Sequence, residues 1–345
     1  MLVWHYYATQ IVATDHSMAG LVRQDLSLTW SGVDLFFVLS GFLIGGILLD
    51  HREAPNFFRV FYLRRVCRIF PLYFLVLGLY VAVAASSALD AVSYQWLMQD
   101  PLTLWSYASF TQNVAMAMHQ DYGAGWLGVT WSLAIEEQFY LLLPLIVWLL
   151  PRRALAVVLT IGILAAPALN YFWPGFHAFV NAPWRADSLL SGVMLALLVR
   201  HPPFVAGVHE RRYLLRALLL ALSLGAVLLT AEPGAFGAFT FFWLACLYAT
   251  LLLTLYLGTE PWLSRWFSAR VLVWFGQMSF AIYLLHQVVA GLVHGAIGND
   301  QPKIVTPADA GFTLAALAIT LALAALSHRH FERHFIRYGH RFGYK

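Results

Sequence analysis

Residues 32–49 read GVDLFFVLSGFLIGGILL, and this stretch decides the fold. From Val33 to Leu49 it carries one charged residue, Asp34. A helix that crosses a membrane needs about 20 largely apolar residues. The stretch therefore predicts a membrane-spanning helix that begins at an acidic residue.

The composition of the whole chain agrees with a protein that uses the bilayer as its solvent. Of 345 residues, 61% are hydrophobic and 11% are charged, against roughly 25% charged in a soluble domain. An ordinary cytosolic enzyme is thus excluded. The net charge of +4 comes from a scarcity of acidic residues and not from a basic stripe, so we expect no nucleic-acid partner.

Further apolar stretches, bounded by charged residues, Pro or Gly, follow along the chain. With the first, they lie at residues 33–49, 71–88, 131–150, 154–173, 188–199, 213–230, 239–257, 272–293 and 310–326. We predict an all-α, polytopic membrane protein of about ten transmembrane helices. We expect residues 1–345 to form a single membrane-embedded domain with no appended soluble domain.

The tenth predicted helix is the apolar segment at residues 2–13, which is too short to cross roughly 30 Å of hydrocarbon. No basic region precedes it and no small-residue cleavage site follows it, so a secretory signal is not indicated. We interpret it as the second half of a first helix that is truncated at its start.

The positions of Lys and Arg predict the orientation. If ten helices alternate, 18 of the 21 Lys and Arg residues fall on one side, and only Arg23, Arg185 and Lys303 fall on the other. The rich side should be the cytoplasm, with both termini there, in a multi-pass protein of the bacterial cytoplasmic (inner) membrane. The segment 89–130, rich in Trp, Tyr and Gln, should form an interfacial or re-entrant cap on the outer side.

Ionisable residues within membrane helices are costly, so they are candidate functional residues. Outside the arginine-rich helix ends these are His5, Asp34, Glu136, Glu137, Asp187 and His286. Asp34 precedes the small residues Ser40, Gly41, Gly45 and Gly46. An equally good interpretation is that these residues serve close helix packing and that Asp34 complements the helix dipole.

An arginine cluster stands just before Pro71, in FYLRRVCRIFPLYF at residues 61–74. On a helix Arg64, Arg65 and Arg68 share one face, which suits a polyanion such as a nucleotide diphosphate. Composition alone favours the alternative, in which they anchor the inner interface or bind anionic lipid.

Further along, Ser132, Glu136 and Tyr140 recur every four residues and should line one helix face. Glu136 can face a polar site, or it can serve a structural role such as capping or pairing with Arg185.

The remaining candidates are His5 and His286, whose neutral imidazoles can act as a general base or nucleophile. Alternatively, each could be only a hydrogen-bond partner between helices. The sequence contains no zinc-site spacing, no phosphate-binding loop and no dinucleotide fingerprint. We therefore expect no metal.

Five features in this order resemble the bacterial membrane acyltransferase 3 family. They are His5 in the first segment, GVDLFFVLSGFLIG at residues 32–45, the arginine motif at 61–74, WSLAIEEQFYLLLPL at 131–145 and WFGQMSFAIYLLHQ at 274–287. The resemblance runs from His5 to about Arg337. It implies an integral membrane O-acyltransferase that transfers an acyl group, usually acetyl, from cytoplasmic acyl-CoA to a hydroxyl of an extracytoplasmic glycan or a similar acceptor, such as a lipid-linked saccharide.

The resemblance also implies residue roles. The catalytic base or acyl carrier falls on His5, and the motif that holds the CoA phosphates falls on Arg65 and Arg68. Asp34 and Glu136 match acidic positions, and His286 matches a late motif. Similar proteins carry an Arg about eleven residues before the first histidine, and many carry an esterase-like domain after the membrane unit.

A different class of protein also fits ten helices with buried charges, namely a transporter or exporter of a lipid-linked or small anionic solute. Transporters of that kind usually show internal duplication, which this sequence lacks. A non-catalytic membrane partner would leave the ordered motifs unexplained.

Overall fold

The computed structural model describes residues 2–12, 17–99, 102–232, 234–298 and 300–345. The last residue of the predicted first segment, Ala13, and two residues of the predicted cap, Asp100 and Pro101, lie outside these ranges. The helices in the first half are α1 (Met18–Asp25), α2 (Gly32–Asp50), α3 (Phe57–Ser86), α4 (Gln95–Met98), α5 (Leu104–Ala108), α6 (Gln112–His119), α7 (Trp131–Leu149), α8 (Arg152–Phe172) and α9 (Phe176–Val180).

The second half continues with helices of similar length. They are α10 (Ala186–Leu198), α11 (Pro202–Glu210), α12 (Arg212–Ala231), α13 (Thr240–Leu257), α14 (Pro261–Phe267), α15 (Arg270–Gln277), α16 (Ser279–Val293), α17 (Pro307–Ser327) and α18 (Arg333–His340). Short 3-10 and π turns join them, at Trp4–Ala8, Ser27–Ser31, Val92–Tyr94, Gly128–Thr130, Ala182–Arg185, Gly237–Phe239, His294–Gly298 and His328–Glu332. Among the described residues the β pairing is a single parallel bridge between Ile11 and Ile304.

Within the described ranges, eight helical stretches are long and apolar enough to cross a membrane, or nine if α10 and α11, which meet at 96°, count as one span. These nine coincide with the nine predicted stretches, so the all-helical polytopic fold is confirmed. The number of spans differs from the predicted ten because of the first segment. Its described part is helical only from Leu2 to Ala8, which is too short to span.

Helix α3 begins well before the predicted span and continues through Pro71. A proline inside a helix removes one backbone hydrogen bond, and the remaining bonds of this 30-residue helix hold it together. The arginine cluster therefore lies on the same helix as the apolar span that follows it.

The chain forms two compact units, each assembled from separated parts of the sequence. Unit one comprises Met1–Thr29, Ala54–Ala134 and Val273–Lys345. Unit two comprises Trp30–Glu53 and Ile135–Leu272.

In unit one, α16 packs against α17, and α18 packs against α3. A core cluster of Tyr6, Val289, Ala290 and Ala316 joins the N-terminal π turn to α16 and α17. The C-terminal part of the chain thus supports both the first segment and the base of α3.

The predicted cap, residues 89–130, forms the short helices α4 to α6 and folds onto α3 in unit one. The Tyr73 hydroxyl on α3 donates to the carbonyl of Tyr107 at 2.9 Å. The Gln112 side chain donates to the carbonyl of Thr130, also at 2.9 Å. The Tyr73 bond attaches the segment to the middle of α3, the Gln112 bond holds the segment together, and its place at the outer interface stays a prediction.

In unit two, α10 is central and packs against α2, α8 and α13. Its contact with α2 depends on glycines. A Cβ at Gly41 would come 2.0 Å from the carbonyl oxygen of Leu189, and one at Gly192 would come 2.1 Å from that of Val38. Such a close approach is how helices pack in lipid, where small residues let the backbones meet.

An ion pair stands at each end of the α2–α10 contact. At the start of the helices, Arg185 Nη2 donates to Asp34 Oδ1 at 2.5 Å, and both side chains are fully buried. At their ends, Arg200 donates to both carboxylate oxygens of Asp50, at 2.7 and 2.6 Å. Because start pairs with start and end with end, α2 and α10 run parallel.

The Arg185 guanidinium is enclosed by aromatic rings as well as by carboxylates. Its Cζ lies 3.7 Å from the ring centre of Phe241 and 5.3 Å from that of Phe179. Ser188 donates a second hydrogen bond to Asp34 Oδ1, at 2.9 Å. Asp187, in the first turn of α10, is also buried.

We expect reporters fused after Lys345 and within residues 89–130 to lie on opposite sides of the membrane, with the C-terminal one in the cytoplasm. Opposite sides require an odd number of spans between the two fusion sites. The number is odd only if α10 and α11 together cross the membrane once. Alkaline phosphatase and fluorescent-protein fusions at both sites measure this. Reporters on the same side would contradict the alternating arrangement.

Loss of either member of the buried ion pair should destabilise the protein strongly. We expect Asp34→Ala or Arg185→Ala to lower the free energy of unfolding by about 3–5 kcal/mol, because each leaves a buried charge unpaired. Unfolding in mixed detergent measures the loss. The double variant should lose much less than the sum, and additive losses would contradict the pairing.

A matched control is available at the other end of the same helices. Asp50 is about half exposed, with 53% of its side-chain surface accessible. Its pair with Arg200 should therefore contribute at most about 1 kcal/mol, and Asp50→Ala should have a small effect in the same assay.

Candidate active site

The candidate histidines lie side by side in unit one, although they come from opposite ends of the chain. His5 sits in the π turn Trp4–Ala8 and His286 in α16, with ring centres 4.9 Å apart and ring planes at 50°. The Tyr6 hydroxyl donates to the carbonyl of His286 at 2.8 Å and lies 2.8 Å from the Thr320 hydroxyl. These contacts fasten the turn to α16 and α17.

Hydrogen bonds within α16 determine the state of the His286 ring. Nδ1 lies 2.7 Å from the carbonyl oxygen of Tyr283 and 3.1 Å from that of Ile282. Since carbonyl oxygens only accept, Nδ1 carries the ring proton and Nε2 carries a lone pair. His286 is 1% exposed, and Nε2 has no hydrogen-bond partner among the described residues.

His5 is held at its backbone and at its ring. The Gln10 side chain donates to the carbonyl of His5 at 2.6 Å, and Thr313 donates to Gln10 Oε1 at 3.1 Å. Gln287 Nε2 lies 3.1 Å from His5 Nδ1. This short turn is thus attached to both α16 and α17.

The arginine cluster, also in unit one, lies on α3. Arg65 and Arg68 are one turn apart, as predicted, and Arg68 is exposed. The charge of Arg68 also acts on Glu332 and His328. The helix therefore presents two guanidinium groups at the base of an apolar span.

Arg64 is bound by the C-terminal residues of the chain. Its Nε and Nη2 donate to the carbonyl of Phe342 at 3.1 and 2.6 Å, and its Cζ lies 5.2 Å from the ring centre of Tyr344. Asn56, at the start of the helix, donates to the carbonyl of Gly343 at 3.0 Å. Burial raises the pKa of the Tyr344 phenol.

In unit two, Glu136 ends a buried chain of hydrogen bonds. Tyr140 donates its hydroxyl proton to Glu136 Oε1 at 2.7 Å, and the Tyr140 oxygen lies 2.6 Å from Ser40 Oγ. Because Tyr140 has only one hydroxyl proton, Ser40 must donate to it. Glu136 and Tyr140 therefore lie on one face of α7 and contact each other, as predicted. Ser132, in unit one, instead contacts the Tyr283 hydroxyl at 3.1 Å.

The structure thus brings together His5 with His286, and Glu136 with Tyr140 and Ser40. It pairs Asp34 with Arg185, which the sequence suggested as a partner for the glutamates. Among the described residues no three His, Cys, Asp or Glu side chains are arranged to hold a metal ion.

Sequence reasoning missed two residues at these sites. Arg185 had a signal, because it is one of only three basic residues on the predicted outer side. Gln287 had none beyond its place next to His286 in an apolar helix.

Chemically, unit one offers a buried imidazole with a lone pair beside a second imidazole, and an arginine pair on another helix. An imidazole of this kind can accept a proton or carry an acyl group. The guanidinium forks can bind phosphates.

Comparison with known proteins agrees with this chemistry. A family model described as an acyltransferase domain, Acyl_transf_3, matches residues 3–329. No solved structure matches the chain significantly.

Curated relatives match over most of this chain. It is 29% identical to the peptidoglycan O-acetyltransferase OatA of Listeria monocytogenes, over 92% of this chain and 53% of that protein. It is 25% identical to the putative O-acetyltransferase SACOL0978 of Staphylococcus aureus, over 94% of this chain and 56% of that protein. It is likewise 25% identical to the putative peptidoglycan O-acetyltransferase YrhL of Bacillus subtilis, over 92% of this chain and 53% of that protein.

The chain spans about half the length of these relatives. Because the family model covers nearly the whole chain, this membrane protein belongs to the acyltransferase 3 family.

Proposed function

We propose that this protein is an O-acyltransferase that transfers an acyl group, in the first place acetyl, from cytoplasmic acyl-CoA to a hydroxyl of an extracytoplasmic glycan. The family match supports acyl transfer. The names of the relatives support acetyl as the group and peptidoglycan as the acceptor. A lipid-linked saccharide is the second acceptor that we propose.

The observation that carries the proposal is the histidine pair. His286 Nε2 is buried, carries a lone pair and has no hydrogen-bond partner among the described residues, and the ring centres of His5 and His286 lie 4.9 Å apart. Burying a polar atom without a hydrogen bond costs free energy, and packing alone does not require a histidine at this position. The pair is therefore suited to moving a proton or an acyl group.

A thioester reduces what the protein must supply. Its sulfur is a good leaving group, so the protein needs to position the two substrates, to accept the proton of the hydroxyl and to stabilise charge on the carbonyl oxygen. His5 and His286 meet the last two needs, either by direct transfer or through an acyl-histidine intermediate.

The donor site lies, in this proposal, at the base of α3. Arg65 and Arg68 hold the CoA phosphates by paired, charge-assisted hydrogen bonds. Arg64 is a weaker candidate, because its guanidinium already binds the Phe342 carbonyl. The positive-inside rule puts this end in the cytoplasm, where the acyl-CoA is.

The acidic candidates have supporting roles in this scheme. Glu136, in unit two, is a candidate for hydrogen bonding to an acceptor hydroxyl, and Tyr140 and Ser40 hold its carboxylate in place. Asp34 acts at a distance, because its Oδ1 is committed to Arg185 and Ser188. It fixes α2 against α10.

The direct test is transfer by the purified protein. In vesicles supplied with labelled acetyl-CoA and peptidoglycan fragments, label should appear in alkali-labile ester on the glycan. A transporter would move solute without forming ester. Ester formation with no dependence on acetyl-CoA would contradict the proposed donor.

For the donor site, we expect Arg65→Ala or Arg68→Ala to raise KM for acetyl-CoA at least tenfold with little loss of folded protein. Each removes one guanidinium fork from the phosphates. Lys at either position should rescue partly, because it replaces a planar fork with a point charge. Arg337→Ala on α18 is the control, and unchanged KM in both cluster variants would return the arginines to membrane anchoring.

For the chemical step, we expect His5→Ala and His286→Ala each to abolish acetyl transfer while acetyl-CoA binding is retained. The reason is that both groups handle the proton or acyl group and neither is placed at the phosphates. Transfer kinetics and binding of labelled acetyl-CoA separate the two effects. His340→Ala, at an exposed histidine in the last turn of α18, serves as the comparison. Transfer at the wild-type rate by His5→Ala would remove that residue from the mechanism.

A further inference from the structure

Gln287 controls the ring of His5, although it carries no charge. Its Nε2 lies 3.1 Å from His5 Nδ1. An amide nitrogen only donates hydrogen bonds, so His5 Nδ1 must accept. In a neutral imidazole one nitrogen accepts and the other carries the proton, which places the proton of His5 on Nε2.

His286 has the opposite tautomer. Its Nδ1 faces the carbonyl oxygens of Ile282 and Tyr283, so its proton is on Nδ1 and its lone pair on Nε2. The pair therefore presents one N–H donor, on His5, and one basic nitrogen, on His286. The neighbours of the two histidines thus hold them in different tautomers, which suit different tasks.

The geometry of one helix sets both tautomers. His286 and Gln287 are consecutive in α16, and consecutive side chains of an α-helix project roughly 100° apart. One residue can therefore lie beside the ring of His5 while the next reaches its Nδ1. Gln10 fixes the backbone of His5 independently, by its bond to the carbonyl.

We propose that Gln287 is a positioning residue that holds His5 in the Nε2–H tautomer and so divides the work of acyl transfer between the two histidines. This inference rests on the proposed O-acyltransferase function. His286 Nε2 accepts the proton of the acceptor hydroxyl, whose oxygen attacks the carbonyl carbon of the thioester. His5 Nε2–H donates to the carbonyl oxygen as it becomes negative.

The step then closes with all atoms accounted for. The new C–O bond forms, the C–S bond breaks, and its electron pair leaves on sulfur. The proton held by His286 passes to that sulfur, so the products are the acyl ester and the free thiol of CoA. Both imidazoles return to their starting tautomers, and Gln287 keeps its hydrogen bond throughout.

The tautomers can be measured on the wild-type protein without any assay of activity. Protein labelled with ¹⁵N-histidine in detergent micelles gives ring nitrogen signals that distinguish Nδ1–H from Nε2–H. The signals of His5 and His286 are assigned by their loss in His5→Gln and His286→Gln. We expect Nε2–H for His5 and Nδ1–H for His286, and Nδ1–H on His5 would overturn the proposal.

The kinetic test uses Gln287→Glu, because a carboxylate only accepts hydrogen bonds and reverses the tautomer of His5. Losing one preorganised donor to a developing oxyanion typically costs roughly 10²–10³-fold in kcat. We expect a fall of that size with KM for acetyl-CoA unchanged, a split that a purely structural defect would not produce. Equal or faster transfer would mean that His5 is the base, and would overturn the proposal.

Controls separate this proposal from misfolding and from the proposed function. Gln277→Glu makes the same change at an exposed site on α15 and should leave kcat unchanged. If Gln287→Glu does not fold, Gln287→Met removes the amide at similar length, and kcat should then fall clearly below that of the wild type. Unchanged kcat there would overturn the proposal. Absence of transfer by the wild type would refute the proposed function, while the ring-nitrogen signals would still decide the tautomers.

Discussion

Inside hydrocarbon a charged side chain must find a partner of opposite charge, and this constraint organises unit two. The side chains of Asp34 and Arg185 are both fully buried, and Arg185 Nη2 lies 2.5 Å from Asp34 Oδ1. Breaking such a pair leaves a charge that the medium cannot solvate. The pair therefore fixes where α2 and α10 begin relative to each other, while the glycine contact at Gly41 and Gly192 fixes how closely they pack. Neither device alone would determine both the register and the separation of the two helices.

The same contact supports the candidate carboxylate of α7. Ser40 lies next to Gly41 in α2, and the register set by Asp34 determines where the Ser40 hydroxyl is. Ser40 then donates to Tyr140, and Tyr140 donates to Glu136. A change at the start of α2 can therefore reach Glu136 through packing and hydrogen bonds, although Asp34 need not touch a substrate. This explains how an acidic residue in a motif can matter for activity through structure alone.

The nine apolar stretches could be read from the sequence because lipid imposes a local rule, namely that a span is long and apolar. Partners could not be read, since they depend on contacts between distant parts of the chain. Arg185 was considered as a partner for the glutamates, but it binds Asp34, which lies at the start of a helix parallel to its own. Arg64 was grouped with Arg65 and Arg68 because helical spacing is local. Its bond to the Phe342 carbonyl depends on where the C-terminal residues fold.

For the histidines, the contacts of His286 bear on the two interpretations that the sequence allowed. A histidine that only links helices would place its ring nitrogens on groups of neighbouring helices. His286 instead bonds its Nδ1 to carbonyls of its own α16. These bonds do not link α16 to another helix, and Nε2 has no hydrogen-bond partner among the described residues. The link between the first segment and α16 is made by the Tyr6 hydroxyl and by Gln287. Since these neighbouring residues already provide the structural connection, the contacts of His286 support the proposal that its Nε2 serves acyl transfer next to His5.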